Sequence, residues 1–232
     1  MTERPSPIDF EPSHFLGIPV EHHPSIGSTN DEAYRRADEG APEGLVVVAD
    51  SQTRGRGRLG RMWWDVPRLS LSFSILLRPG IPLPQFPLLA LGMACAVAEA
   101  GEEAVGVRLE VKWPNDVLHD GRKLCGVLAE SRAGGSALPS LVIGAGVNVN
   151  QRAEDFPSEI RDRATSLCIA GGGRILRPRD VLAAILVRFE RYFGMAHRAD
   201  ASCLRSEVTR RLPSPGTDLR ILVGDRWFHG IL

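Results

Sequence analysis

The sequence lacks several features that would point to other kinds of activity. It has no net charge, with 28 lysines and arginines against 28 aspartates and glutamates. A general nucleic-acid binder needs a basic excess to displace counterions, so that class is disfavoured. Its four cysteines, Cys95, Cys125, Cys168 and Cys203, stand far apart and form no C-x-x-C pair, which argues against a zinc ribbon or a dithiol redox site. Three of them lie in apolar stretches, as buried thiols of a reducing compartment do. His14, His22, His23, His119, His197 and His229 supply no H-E-x-x-H and no ligand spacing with cysteine, so a structural metal has little support. Residues 1–10 are polar and proline-containing, without the apolar centre of a secretory signal. No apolar run reads as long enough to span a membrane; the longest, residues 88–98, is interrupted by Gly92 and reads as a buried helix. The expectation is a cytoplasmic protein. Repeats, low-complexity tracts and a Walker A sequence are also missing.

What is present is enough for a core. Hydrophobic residues make up 43% of 232, suited to one large domain or a domain with a small appendage. Thr29 and Glu32 have capping-box spacing and open a short helix that Gly40 stops. Residues 45–49 form a β-branched run, a buried strand. Residues 69–75 alternate strictly, as a strand with one buried face does. A helix is predicted over 85–100, and a strand over 107–113 that stops at Pro114. Further strands follow over 123–130 and 138–149, with Gly134 and Gly135 turning between them. Amphipathic helices over 180–193 and 202–212 come next. Pro213 and Pro215 break the pattern, and two strands over 219–223 and 227–232 turn at Gly224 and Asp225. Strands come in adjacent pairs rather than in βαβ alternation. The expected class is therefore α/β in the α+β sense: a mixed sheet with packed helices over 1–212, and a small β module over 213–232.

Residues 51–64 hold the densest chemistry. Gly55, Gly57 and Gly60 fall among Arg54, Arg56, Arg58 and Arg61. Glycine lets backbone N–H groups come close to an anion, and arginine adds permanent charge with bidentate geometry. The glycines also satisfy G-x-G-x-x-G, but no helix starts inside the motif and no acidic residue stands about twenty positions on, so a dinucleotide site fails. A kinase glycine loop fails for want of a Val-Ala-Ile-Lys segment. Alone, the stretch is equally a solvated loop or an RNA-binding one. Lys112, Trp113, Pro114, Asn115 and Asp116 end a strand; Lys112 and Asp116 should lie close together, as a surface ion pair or as a site for a carboxylate and magnesium. Lys123, Leu124 and Gly126 open one apolar strand, while Gly144, Gly146 and Asn148 mark another.

Taken in order, Ser28-Thr29-Asn30, Gln52, the arginine–glycine loop with Trp63, Lys112 to Asp116, Lys123 to Gly126 and Gly144 to Asn148 resemble the catalytic domain of biotin protein ligases. The resemblance implies a class II aminoacyl-tRNA-synthetase-like, biotin/lipoate ligase fold with a C-terminal SH3-like module. It implies a reaction in which biotin and Mg-ATP give biotinyl-5′-adenylate, whose acyl group passes to one lysine of a biotin carboxyl carrier protein, such as the acetyl-CoA carboxylase subunit. By the same resemblance, Lys123, Arg58, Lys112 and Asp116 form the catalytic set. Ser28, Thr29, Asn30, Gln52, Arg56, Gly57, Arg58, Lys123 and Gly126 meet biotin. Arg56, Arg58, Arg61, Trp63, Lys112, Asn115, Lys123 and Asn148 meet ATP and the adenylate. Trp63 would pack on adenine once the loop orders, and Asp116 would hold Mg²⁺. Leu59 stands where some members have another arginine. The short segment before Ser28 leaves no room for the helix-turn-helix domain of some relatives, so no DNA binding is expected. The chain stops at Gly230, Ile231 and Leu232, early in the SH3-like module. Lipoate–protein ligases and octanoyltransferases share the fold and stand as an alternative, as does a non-catalytic biotin-binding regulator. The family includes homodimers, but no pairing edge is identifiable.

Overall fold

The computed structural model describes residues 14–132, 139–196, 202–212, 216–223 and 226–231. Eight strands form one mixed sheet: β1 (His14–Phe15), β2 (Ile18–His23), β3 (Val46–Ala49), β4 (Ser70–Leu77), β5 (Glu110–Lys112), β6 (Asp116–His119), β7 (Arg122–Arg132) and β8 (Ser140–Asn148). Their spatial order is β1-β2-β3-β4-β8-β7-β6-β5. Only β2 and β3 pair in parallel, joined by helix α1 (Thr29–Asp38); the other pairs are antiparallel. Among the described residues there is therefore one βαβ crossover, which the paired-strand reading did not include.

Apolar side chains on alternate positions decide where the core lies. Leu71, Phe73, Ile75 and Leu77 of β4 join Leu141, Ile143, Ala145 and Val147 of β8, with Cys125 and Val127 of β7 beside them. Two long helices cover that face: α2 (Phe86–Val105) and α4 (Pro178–Ala196). Phe15 stacks on Phe189 of α4 at 5.7 Å and ties β1 into the same core. By length and composition, the apolar window Leu83–Val105 could cross a membrane, contrary to the reading of residues 88–98 as too short. In the fold it is a core helix, with 67% of the window buried. Short helices α3 (Leu167–Ala170) and α5 (Ser202–Thr209) pack against α2.

The strict alternation in β4 was expected to leave one face open. All eight residues of β4 are buried, because α1 and the segment 51–67 cover the second face. A smaller apolar cluster on that face, Ala33, Tyr34, Leu45, Val47, Leu76 and Val142, anchors α1 to the sheet. The predicted capping box does not form: Ser28 is the extended N-cap residue of α1 and makes no side-chain cap bond, while Thr29 lies inside the helix. Strands β1, β2 and β6 were not anticipated. At the C-terminal end, β9 (Asp218–Val223) and β10 (Arg226–Ile231) form a separate antiparallel pair. The turns expected at Gly134–135 and Gly224–Asp225, and the breaks at Pro213 and Pro215, lie outside the described residues.

Candidate active site

The second face of the sheet is small and polar where α1 leaves it. Ser70, Ser72 and Ser74 of β4 stand in register with Asn148, Gly146 and Gly144 of β8, and Gly146 is in register with Gly126 of β7. The glycines clear space for side chains from outside the sheet. A Cβ on Gly144 would lie 2.2 Å from Asn30 Oδ1, one on Gly146 2.2 Å from the Trp63 ring, and one on Gly126 3.0 Å from Lys123 Nζ. Three separate segments thus converge on one glycine floor.

The first turn of α1 lines one end. Thr29 donates to Gln52 Oε1 through both its backbone N–H (2.9 Å) and its hydroxyl (3.1 Å). Ser74 Oγ lies 2.7 Å from Thr29 Oγ1 and 2.6 Å from Asn30 Oδ1. The Asn30 amide donates to Glu130 Oε2 at 2.7 Å, and the Tyr34 hydroxyl donates to the Glu130 carbonyl at 2.5 Å. Burial, reinforced by the Glu130 charge, pushes the Tyr34 pKa up to about 12, so it remains a neutral donor. Ser28, Thr29, Asn30 and Ser74 are buried, and polar groups persist in such places when they have partners.

The arginine–glycine segment folds back on itself. The Gly57 N–H donates to the Arg61 carbonyl (2.7 Å) and the Trp63 N–H to the Gly55 carbonyl (3.0 Å). Leu59 takes a left-handed conformation at φ 60°, and its side chain is exposed. The Arg56 guanidinium grips Asp31 in bidentate fashion at 2.7 and 2.9 Å and lies 3.7 Å from Glu130. Asp31 is held below its ordinary pKa, chiefly by its hydrogen bond to Arg56. Arg58 donates to Asn115 Oδ1 at 3.2 Å, and Arg61 is exposed. The Gln52 N–H donates to Asp65 at 2.7 Å; burial raises the Asp65 pKa despite that bond.

Lys123 reaches the floor because of a β-bulge. Cys125 pairs with Val117 and Lys123 with Leu118, so Leu124 is extra, and both Leu124 and Cys125 enter the core. The bulge turns Lys123 to the opposite face, a re-aiming common beside functional sites. Its ammonium forms an ion pair with Asp116 at 2.6 Å and lies 6.0 Å from the centre of the Trp63 ring. Lys112 is the cross-strand neighbour of Asp116, close to it as expected, but its side chain is exposed and the carboxylate forms its ion pair with Lys123 instead. Pro114 follows a cis peptide bond, and Asn115 donates to the Val127 carbonyl at 2.6 Å.

Asn148 lies in the same face but is already engaged. Its amide donates to the Thr165 carbonyl (2.9 Å) and accepts from Gln151 Nε2 (2.9 Å), which also donates to Ser70 Oγ (2.7 Å). Trp63 rests on Gly146 rather than standing free of the sheet. Among the described residues, Trp63 Nε1, Ser72 Oγ, Gln151 Oε1 and Thr165 Oγ1 are buried without a hydrogen-bond partner. The sequence reading did not single out Asp31, Ser74, Glu130, Gln151 or Thr165. The serines at 70, 72 and 74 were visible as an alternation, but nothing in it marked which face they served.

A second group, Glu21, His23 and Glu32, brings three ligand-type atoms within 4.8 Å of one another. Arg36 pairs with Glu21 and Arg35 with Glu32, so its charges are matched without an ion.

The profile of the Biotin/lipoate A/B protein ligase family matches residues 23–148. The bifunctional ligase/repressor BirA of Bacillus subtilis is 43% identical over 178 residues, covering 77% of this chain and 54% of the relative. The biotin--[acetyl-CoA-carboxylase] ligase of Mycobacterium tuberculosis is 39% identical over 150 residues, covering 62% of this chain and 53% of the relative. The chain therefore spans about half the length of these two curated relatives. Among solved structures, a biotin protein ligase from Aquifex aeolicus in complex with biotin and ATP superposes with a TM-score of 0.77 at 31% identity, covering 91% of this chain and 85% of the other.

Proposed function

The chain belongs to the biotin/lipoate A/B protein ligase family, and on that premise we propose that it is an ATP-dependent biotin–protein ligase. The observation that carries this reading is the Lys123 ammonium on a glycine floor beneath a loop that supplies Arg56 and Arg58. The Aquifex aeolicus relative bound to biotin and ATP supports the choice of substrates.

Biotin's carboxylate is already ionised near neutral pH, so it needs charge neutralisation more than a base. One of its oxygens attacks the α-phosphorus of ATP, and pyrophosphate leaves. Lys123, Arg56 and Arg58 would offset the charge that builds on the phosphoryl oxygens. The amine of an acceptor lysine then attacks the acyl carbon of biotinyl-5′-adenylate, and AMP leaves as the amide forms. Ser28, Thr29, Asn30 and Gln52 would bind the ring system, with Gly57 and Gly126 along it. Trp63 would move from Gly146 to pack on the adenine. Its partnerless Nε1, with Ser72 Oγ, Gln151 Oε1 and Thr165 Oγ1, supplies polar atoms suited to a nucleotide. Asn148 would meet adenine only by sharing or exchanging its present bonds. Arg61, Lys112 and Asn115 would serve the phosphates from the rim.

Magnesium is bound by one or two carboxylates together with phosphate oxygens and water. Asp116, partly exposed at the strand end, fits so sparse a donor set. It would hold the ion, which when bound would neutralise polyphosphate charge. The loop's remaining task is to keep water from the adenylate, which hydrolyses readily.

The acceptor in this reading is a biotin carboxyl carrier protein of an acetyl-CoA carboxylase, as the name of the mycobacterial relative suggests, and the same reading puts the reaction in the cytoplasm. The fold-sharing lipoate enzymes and a non-catalytic biotin binder are outcomes of one test. With carrier domain present, ATP–pyrophosphate exchange and a streptavidin blot should both respond to biotin. Exchange driven by lipoate and not by biotin would replace the substrate. Tight biotin binding with an unlabelled carrier would replace the enzyme with a binder.

A further inference from the structure

Just past the end of β8, a buried glutamine carries a bonding pattern that the proposed reaction does not use. Gln151 is completely buried. Its Nε2 donates to Asn148 Oδ1 at 2.9 Å and to Ser70 Oγ at 2.7 Å, while its Oε1 has no partner among the described residues. A buried amide oxygen without a partner is unfavourable, and an apolar side chain of similar length would avoid that penalty. What the amide gives in return lies at its donor end.

The backbone holds that end in place. The Gln151 carbonyl accepts from Ser166 Oγ at 2.6 Å, and Ser166 caps α3 by accepting from the Ile169 N–H. The neighbouring Asn150 donates to the Leu176 carbonyl at 2.8 Å and accepts from the Leu176 N–H at 3.0 Å.

The orientation of both amides follows from one carbonyl. The Thr165 carbonyl can only accept, so Asn148 presents Nδ2 to it at 2.9 Å. Asn148 Oδ1 then meets Gln151, which has to present Nε2. Turning either amide over would set oxygen against oxygen. The two bonds use one of the two Nδ2 hydrogens and one of the two Oδ1 lone pairs. One donor and one acceptor are left on Asn148. Adenine takes such a pair from an asparagine, accepting at a ring nitrogen and donating from its 6-amino group. Guanine has an oxygen in place of that amino group and would meet Oδ1 with a second acceptor.

We propose that Gln151 is a positioning residue that sets the orientation of the Asn148 amide and so makes the site select adenine over guanine. This role rests on the ligase reading, in which Asn148 meets the base; the orientation itself does not.

Two arms test it. In the first, the full chain saturated with biotin is titrated by calorimetry with α,β-methylene-ATP and with α,β-methylene-GTP, neither of which can lose pyrophosphate. Gln151→Met should weaken the adenine analogue about fivefold, the scale of one neutral hydrogen bond, and leave the guanine analogue nearly unchanged. The Kd for biotin and the melting temperature should stay near those of wild type, since the unpaired Oε1 leaves together with the two bonds. In turnover, the KM for ATP should rise while the KM for biotin holds. Should Gln151→Met lower the melting temperature, Gln151→Leu repeats the measurement. An unchanged adenine-to-guanine preference, or an equal loss of biotin and nucleotide affinity, would overturn the proposal.

In the second arm, the Asn148 side-chain amide protons of the ligand-free protein are followed by NMR, assigned by their loss in Asn148→Asp. Wild type should show two sharp resonances that exchange slowly with solvent, and Gln151→Met should broaden them and speed the exchange. A rapidly exchanging Asn148 amide in wild type would overturn the proposal by itself. If wild type binds neither analogue, the ligase reading fails, while this arm still decides whether Gln151 orients Asn148.

Discussion

The two faces of the central sheet are made from alternate residues of the same strands, yet they meet different demands. On β4, Leu71, Phe73, Ile75 and Leu77 fill the core, while Ser70, Ser72 and Ser74 face the site. On β8, Ile143, Ala145 and Val147 pack beneath, while Gly144, Gly146 and Asn148 form the floor. One face is filled by its own side chains. The other is emptied by glycine and then occupied by Asn30, Trp63 and Lys123 from elsewhere in the chain. Stability and chemistry can be adjusted almost independently on a strand, because a period of two separates them. Substitutions on the two faces should therefore fail in different ways.

The largest effect is expected on the core face. Phe73→Ala removes a fully buried ring and should cost about 3–5 kcal/mol in denaturant unfolding, with the KM for biotin unchanged in the fraction that remains folded. A KM shift equal in size to the stability loss would mean that the faces are coupled. Next comes the floor. Gly146→Val places carbon where the Trp63 ring lies and should lower the rate of ATP–pyrophosphate exchange about 100-fold, while far-ultraviolet circular dichroism stays native. Near-normal exchange would show that Trp63 need not sit there. The smallest effect tests a residue that touches both demands. Ser74→Ala strips Asn30 Oδ1 of a buried partner and should cost about 1–3 kcal/mol in stability. It should also raise the KM for biotin, measurable by carrier labelling. A loss of stability with KM intact would make Ser74 purely structural.

Particular residues show how far the sequence could be read. The core strands over 46–49, 70–77 and 140–148 and the long helices were legible because hydrophobic period is a local property. Strand β6 escaped, although Asp120 and Gly121 form a hairpin turn with positive φ at both positions, a signal the sequence does carry. β2 escaped for a different reason. Its Ile-Pro-Val-Glu-His-His pattern has no clear period, and it is a strand because β3 pairs with it.

The candidate site divides in the same way. Gly55 to Arg61, Lys123 and Gly146 stood out because glycine and charge are unusual in their settings. Asp31 and Glu130 did not, since an acidic residue on a helix and one on a strand are ordinary until Arg56 is placed between them. The pairing of Asp116 with Lys123 rather than Lys112 depended on the bulge at Leu124, which no local pattern announces.

The sequence by itself determined the arginine–glycine segment and its composition: a backbone able to approach an anion and enough fixed charge to hold one. Only the tertiary structure decided what that segment rests on. Trp63 meets Gly146, Arg56 meets Asp31, and Arg58 meets Asn115, across separations that run from 25 residues to more than 80. The physical reason is that conformational preference and charge belong to residues one at a time. A clearance, a shared carboxylate or a re-aimed lysine exists only when distant segments are packed together.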